Sequence, residues 1–221
     1  PRNFNSLEGS YSTNPFDGAV RVNEFKTMVQ ALHNKGIRLI MDVVYNHTSN
    51  AENSNFQYLV PNYYYRLNVD GSWSNGSGTG NETASDRPMF RKFMIDSISF
   101  WAKEYNISGF RFDLMALHDI KTMNDIEKAL NQIDPTIVVY GEPWPAGETP
   151  LPDSQMSNTV NMPKLNVGSF SDASRIGYKD WIKGDRNNPF IAARVRYGLA
   201  GAAEIDGAAA ETWQQSMHKE P

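Results

Sequence analysis

The feature that most constrains this chain is a rhythm of short apolar runs separated by stretches of helical period. Ile37 to Val44 (IRLIMDVV), Ser108 to Leu114 (SGFRFDL) and Thr136 to Pro143 (TIVVYGEP) are nearly continuous apolar runs of strand length. Between them, Met89 to Tyr105 puts Phe90, Phe93, Met94, Ile98 and Trp101 on one helical stripe, and Thr122 to Asp134 does the same with Met123, Ile126, Leu130 and Ile133. Ahead of the first strand, Glu24 to Lys35 carries Phe25, Met28, Val29 and Leu32 at helical spacing, with Asn23 as its expected N-cap and Gly36 as its stop. Strands and helices alternating in this way predict right-handed βαβ units and a parallel sheet, and the first run, Ile37 to Val44, reads as a strand covered on both faces. The fold class is α/β.

Composition narrows the function. The 221 residues suffice for one sizeable core, and a formal net charge of -4 with no basic run gives nucleic acid or an anionic membrane no electrostatic footing. The chain has no cysteine, which excludes thiolate metal sites, disulfides and a cysteine nucleophile. No apolar run is long enough to span a bilayer. The first residues, PRNFNSLEGSYSTNPFDG, have no helical or strand period and read as the edge of an excised piece of a longer protein. Thr48 to Arg87 is polar but rich in tyrosine, which points to an ordered functional loop and not a linker. Val167 to Gly184 has room for one more short strand and a helix with Tyr178 and Trp181 packed. Arg194 to Ala210, rich in Ala and Gly, fits no element. His33, His118 and His218 have no partner pattern and read as surface or packing residues.

Each strand ends in chemistry: Asp42 to His47 after the first, Arg111 with Asp113 after the second, and Glu142 after the third. Parallel α/β folds gather their active sites at the carboxyl ends of the strands. Side chains two apart on a strand share a face, so Arg111 and Asp113 point the same way. A guanidinium beside Asp113 favours the charged carboxylate, which suits a nucleophile, although an ordinary ion pair at a strand end has the same pattern. Glu142, between Gly141 and Pro143-Trp144, is expected in apolar and aromatic surroundings that favour the protonated acid. Two carboxylates set apart in this way make the nucleophile and acid/base of a retaining glycosidase, and nearby Tyr and Trp suit stacking on sugar rings.

Three stretches, DVVYNHT (42 to 48), GFRFDLM (109 to 115) and YGEPW (140 to 144), resemble the first three signature regions of the alpha-amylase superfamily. With EGSYSTNPFDGAVRVNEFK, NGSGTGNETASDRPM and FSDASRIGYKDWIKG, the resemblance extends from about Glu8 to Gly184 and points to the type I pullulanases within it. It implies the central part of a TIM-type (β/α)8 barrel, roughly its third to sixth strands, incomplete, with residues 1–221 a partial catalytic domain truncated at both ends. It implies Asp113 as nucleophile, Glu142 as acid/base and Arg111 as the group orienting Asp113. His47 would bind sugar before the cleaved bond, and Tyr45, Leu114 and Trp144 would line the cleft. Asp42 would support Arg111 from behind. Asn46 matches a calcium-ligand position in some amylases, so a structural calcium is allowed while the chemistry needs no cofactor. The implied partner is an α-glucan such as pullulan, branched starch or glycogen fragments.

The resemblance also demands a fourth signature, a His-Asp pair supplying a transition-state aspartate. The only histidine after the third strand region is His218, followed by Lys219 and Glu220. A whole barrel takes about 250 residues or more. An open arc is therefore expected to be poorly stable and inactive alone. An isoamylase-like or α-1,4-acting enzyme is the sibling alternative, and a non-catalytic glucan-binding or scaffold protein is the alternative from another class.

Overall fold

A computed structural model of the chain describes residues 2–172, 174–176 and 179. It divides into two units, Pro1–Ser169 and Phe170–Pro221. In the second, the described positions from Asp172 to Lys179 are helical, and Arg175 donates to Asp172 at 2.8 Å. Tyr178, Trp181, His218 and the 194–210 stretch lie outside the described residues.

The first unit is built on four parallel strands, β1 (Ile40–Val43), β2 (Gly109–Phe112), β3 (Val138–Gly141) and β4 (Gly168–Ser169), which neighbour one another in chain order. The helices are α1 (Gly18–His33), α2 (Asn55–Leu59), α3 (Pro88–Tyr105) and α4 (Ile120–Asn131). The expected rhythm holds, with each strand shorter than its apolar run. No helix among the described residues is long and apolar enough to cross a membrane.

The alternation along β2 sets the layers. Phe110 and Phe112 are fully buried against Met94, Ile98 and Trp101 of α3 and Met123, Ile126 and Leu130 of α4, whereas Arg111 projects to the opposite face. Helices cover one face of the sheet and charged groups occupy the other, as in the wall of a TIM-type barrel. This corrects the expectation that β1 is covered on both sides. Ile40 is 41% exposed, because the described helices pack on the face that carries Val43.

Two other local readings change. Helix α1 begins at Gly18, earlier than the apolar stripe suggests, because the Asp17 carboxylate caps the Ala19 amide at 2.9 Å. The aperiodic lead-in is packed: Phe4 stacks on Tyr45 with ring centroids 5.2 Å apart, and its carbonyl accepts from Trp101 at 3.0 Å. The tyrosine-rich loop is ordered, as its composition suggests. Antiparallel bridges Tyr65–Thr83 and Leu67–Trp73 fold it on itself, and Tyr65, Ser74, Asn81, Glu82, Thr83 and Ser85 are buried.

Candidate active site

The register of the sheet assembles the site. Asp42 on β1 faces Arg111 on β2, and Arg111 faces Tyr140 on β3. Asp113 and Glu142 each follow two residues beyond, so all three carboxylates come within reach of one guanidinium. Arg111 donates through Nη1 to Asp42 at 2.9 Å and to Asp113 at 3.2 Å, and through Nη2 to Glu142 at 2.6 Å. Burial of Arg111 opposes its charge, but Asp42, Glu142 and Asp113 outweigh that and hold its pKa above the ordinary value. Asp42 is the outermost member, with its side chain 66% exposed, which fits a supporting place.

Asp113 is fixed from a second side. Asn46 Nδ2 donates to the Asp113 backbone oxygen at 2.8 Å and to its Oδ2 at 3.0 Å. The other end of the Asn46 amide meets His47 Nδ1 at 2.6 Å. His47 is half-buried, and burial lowers its pKa against the opposing pull of Asp113. Beyond Asp113 the chain turns through Leu114, whose φ of 42° and ψ of 50° are left-handed, into the short 3-10 turn Met115–Leu117. That turn aims the Leu114 amide at Glu142 Oε2, 3.0 Å away.

Glu142 therefore departs from expectation. It sits in an ion pair with Arg111 and on a backbone amide, not in apolar surroundings, because the β2–β3 register turns it toward Arg111. Tyr45 departs as well. Its side chain points into the core, only 2% of it exposed, with its hydroxyl on Ser97 at 2.7 Å and its ring on Phe4. Burial pushes its pKa upward. It cannot line a cleft from there. Leu114 and Trp144 are half-exposed at the same end of the sheet as the carboxylates.

The residues do not fit a metal at Asn46. Its amide is fully buried with its nitrogen committed to Asp113 and its oxygen to His47. Among the described residues no three His, Asp or Glu groups converge as a metal site.

The sequence reading missed Asn46 as a holder of Asp113; its place between Tyr45 and His47 was the available signal. It also missed a buried ion pair between Arg66 and Glu82. Glu82 stands out in its stretch as a lone acid among Gly, Ser, Thr and Asn, and a partner cation is the expected consequence of burying it. His118 is completely buried, as a packing residue, edge-on to Phe112 at 6.0 Å.

Comparison with known proteins gives consistent matches. The alpha-amylase family, described as alpha amylase, catalytic domain, matches residues 16–68. The pullulanase of Bacillus subtilis (strain 168) is 39% identical over 214 residues, covering 92% of this chain and 29% of that protein. The isoamylase SU1 of Zea mays is 34% identical over 147 residues, covering 64% of this chain and 18% of the relative. Among solved structures, the Paenibacillus barengoltzii pullulanase in complex with maltohexaose and alpha-cyclodextrin superposes with a TM-score of 0.77 at 49% identity, covering 79% of this chain and 27% of that one. The chain spans under a third of the length of these relatives.

Proposed function

The chain belongs to the alpha-amylase family, and we propose that it carries the nucleophile and the acid/base of a pullulanase-type debranching enzyme. The substrate would be an α-1,6-glucosidic bond in pullulan or a branched α-glucan. The observation that carries the reading is the bridging of Asp113 and Glu142 by Arg111 at the ends of adjacent parallel strands. Sharing one guanidinium sets the two carboxyl groups side by side at the strand ends, where a nucleophile and an acid/base can flank one glycosidic bond.

In the first step Asp113 attacks the anomeric carbon while protonated Glu142 gives its proton to the departing glycosidic oxygen. A glycosyl ester on Asp113 results. Glu142, now a carboxylate, then takes a proton from water as that water attacks the same carbon, and the configuration is retained. Arg111 and Asn46 hold Asp113 in line; Glu142, ion-paired to Arg111 in the free protein, has to exchange that partner for the leaving oxygen and take up a proton from water before the first step. His47, Leu114 and Trp144 line the sugar side of the cleft. The steps use no cofactor. The fourth-signature aspartate that the resemblance calls for has no match in the sequence, so the activity is assigned to the native gene product carrying this chain.

The identity to pullulanases runs over more of the chain than that to the maize isoamylase, which favours pullulan as substrate over the sibling specificity. Product analysis tests it. Maltotriose from pullulan, little attack on amylose, and loss of both in Asp113→Asn are expected. Cleavage of amylose with pullulan untouched overturns the specificity, and no cleavage of either polymer favours a glucan-binding scaffold.

A further inference from the structure

The Arg66–Glu82 pair joins three loops that follow the three catalytic strands. Arg66 and Glu82 lie in the loop after β1, and their side chains are 6% and 0% exposed. Glu82 accepts from Arg66 Nη1 and from Thr149 Oγ1 at 2.7 Å on one oxygen. Its other oxygen accepts from Ser74 Oγ at 2.7 Å and from the Gly76 amide at 3.2 Å. Arg66 spends the rest of its donors on Asp86, Ser85 and the Leu117 carbonyl, the last at 2.7 Å. Leu117 closes the 3-10 turn after β2, and Thr149 lies on the segment after β3.

Both tethers lead to Glu142. The turn that Arg66 grips at Leu117 begins at Leu114, whose amide binds the Glu142 side chain, and Ala116 within it donates to the Glu142 carbonyl at 3.1 Å. Thr149 is seven residues beyond Glu142 on the same loop, and the amides of Ala146 and Gly147 bind the Gly76 carbonyl at 2.9 Å beside the pair. The Asp113 side chain is held directly by Arg111 and Asn46; the pair's link to that side runs through the backbone, where the Thr83 amide next to Glu82 donates to the Asn46 carbonyl at 2.9 Å. A buried ion pair contributes little net stability compared with well-packed apolar residues, but breaking one partner leaves an uncompensated charge and displaces what it holds.

We propose that the Arg66–Glu82 ion pair is a positioning element that sets the place of Glu142, and hence proton transfer, while leaving the nucleophile in place. The inference rests on the reading of Glu142 as acid/base. The two steps of a normal turnover need Glu142 to give and then take a proton. With α-maltotriosyl fluoride and azide neither is needed. The carbon–fluorine bond breaks with its electron pair leaving as fluoride, and azide then forms the new bond to the anomeric carbon as Asp113 departs.

The test compares the native gene product with Glu82→Gln. The kcat on pullulan should fall on the order of 10²-fold with KM little changed, while the fluoride-plus-azide rate stays near that of the parent. Thr149→Val, which removes one tether and leaves the ion pair intact, should show the same split at smaller size; it decides the matter where Glu82→Gln fails to fold. Parallel loss of both rates, or an unchanged rate on pullulan, overturns the proposal. A parent protein that acts on neither pullulan nor the fluoride removes the catalytic reading itself, an outcome distinct from either.

Discussion

Asn46 holds Asp113 at two points, with one amide nitrogen 2.8 Å from its backbone oxygen and 3.0 Å from its carboxylate. A carboxylate fixed to its own backbone through a neighbour has little freedom to turn from the anomeric carbon. Asn46→Ala should lower kcat on pullulan on the order of 10²-fold, since a displacement of about 1 Å at a reacting group has that effect. Asn46→Asp should be worse, because it sets a second carboxylate against Asp113. Steady-state kinetics on both variants check this, and an unchanged kcat for Asn46→Ala would remove Asn46 from the site.

Arg111 is irreplaceable by lysine on geometric grounds. Its fork reaches Asp113 from one nitrogen and Glu142 from the other, which a single ammonium cannot reproduce. Arg111→Lys should lose about 10²-fold or more in kcat, by comparison with the removal of other preorganised charge partners. Near-parental turnover by Arg111→Lys would show that charge alone suffices.

Gly141 ends β3 opposite Phe112 of β2. A Cβ there would lie 2.6 Å from the Phe112 oxygen and 2.7 Å from Met115 Cβ, neither of which can swing aside. Gly141→Ala should destabilise the fold by about 1–3 kcal/mol, read from the urea midpoint. A midpoint matching the parent would mean that the strands separate at little cost.

His118 confers sensitivity to acid. Burial, with Arg66 adding to it, pushes its pKa down to about 3, from 6.5 for a free imidazole. The unfolded chain therefore takes a proton near pH 6.5 that the folded chain refuses, and stability falls as pH drops from about 6.5 toward 3. Asp119 acts in the same direction. Burial opposes its charge, but Thr122, Ser85 and Arg91 outweigh that and lower its pKa, so its contribution is lost as pH falls. Unfolding midpoints between pH 7 and 4 should decline less steeply in His118→Gln than in the parent. Equal slopes would rule out the buried imidazole as a source.

The strands, the helical stripes and the meeting of Arg111 with Asp113 were legible because each follows from a period of two or 3.6 residues. Ion pairing at Glu142 was not, since its neighbours in sequence are apolar and only the β2–β3 register reveals the arginine. Tyr45 misled for a related reason: it lies in a motif of exposed function, yet the pleat sends its side chain to the helix face. The start of α1 depended on one capping carboxylate and not on the apolar stripe. The Arg66–Glu82 pair depends on how an irregular loop folds over three strand ends, which no periodicity encodes.

The sequential order of β1, β2 and β3 has a consequence for how the site is made. Arg111 meets Asp42 across 69 residues of chain and Glu142 across 31, with no intervening strand from elsewhere. Loop-closure entropy grows only logarithmically with such separations, so the longer link to Asp42 costs little more to close than the shorter one to Glu142. The charge cluster can thus close once the third strand docks, and Arg111 then offsets part of the repulsion among Asp42, Asp113 and Glu142.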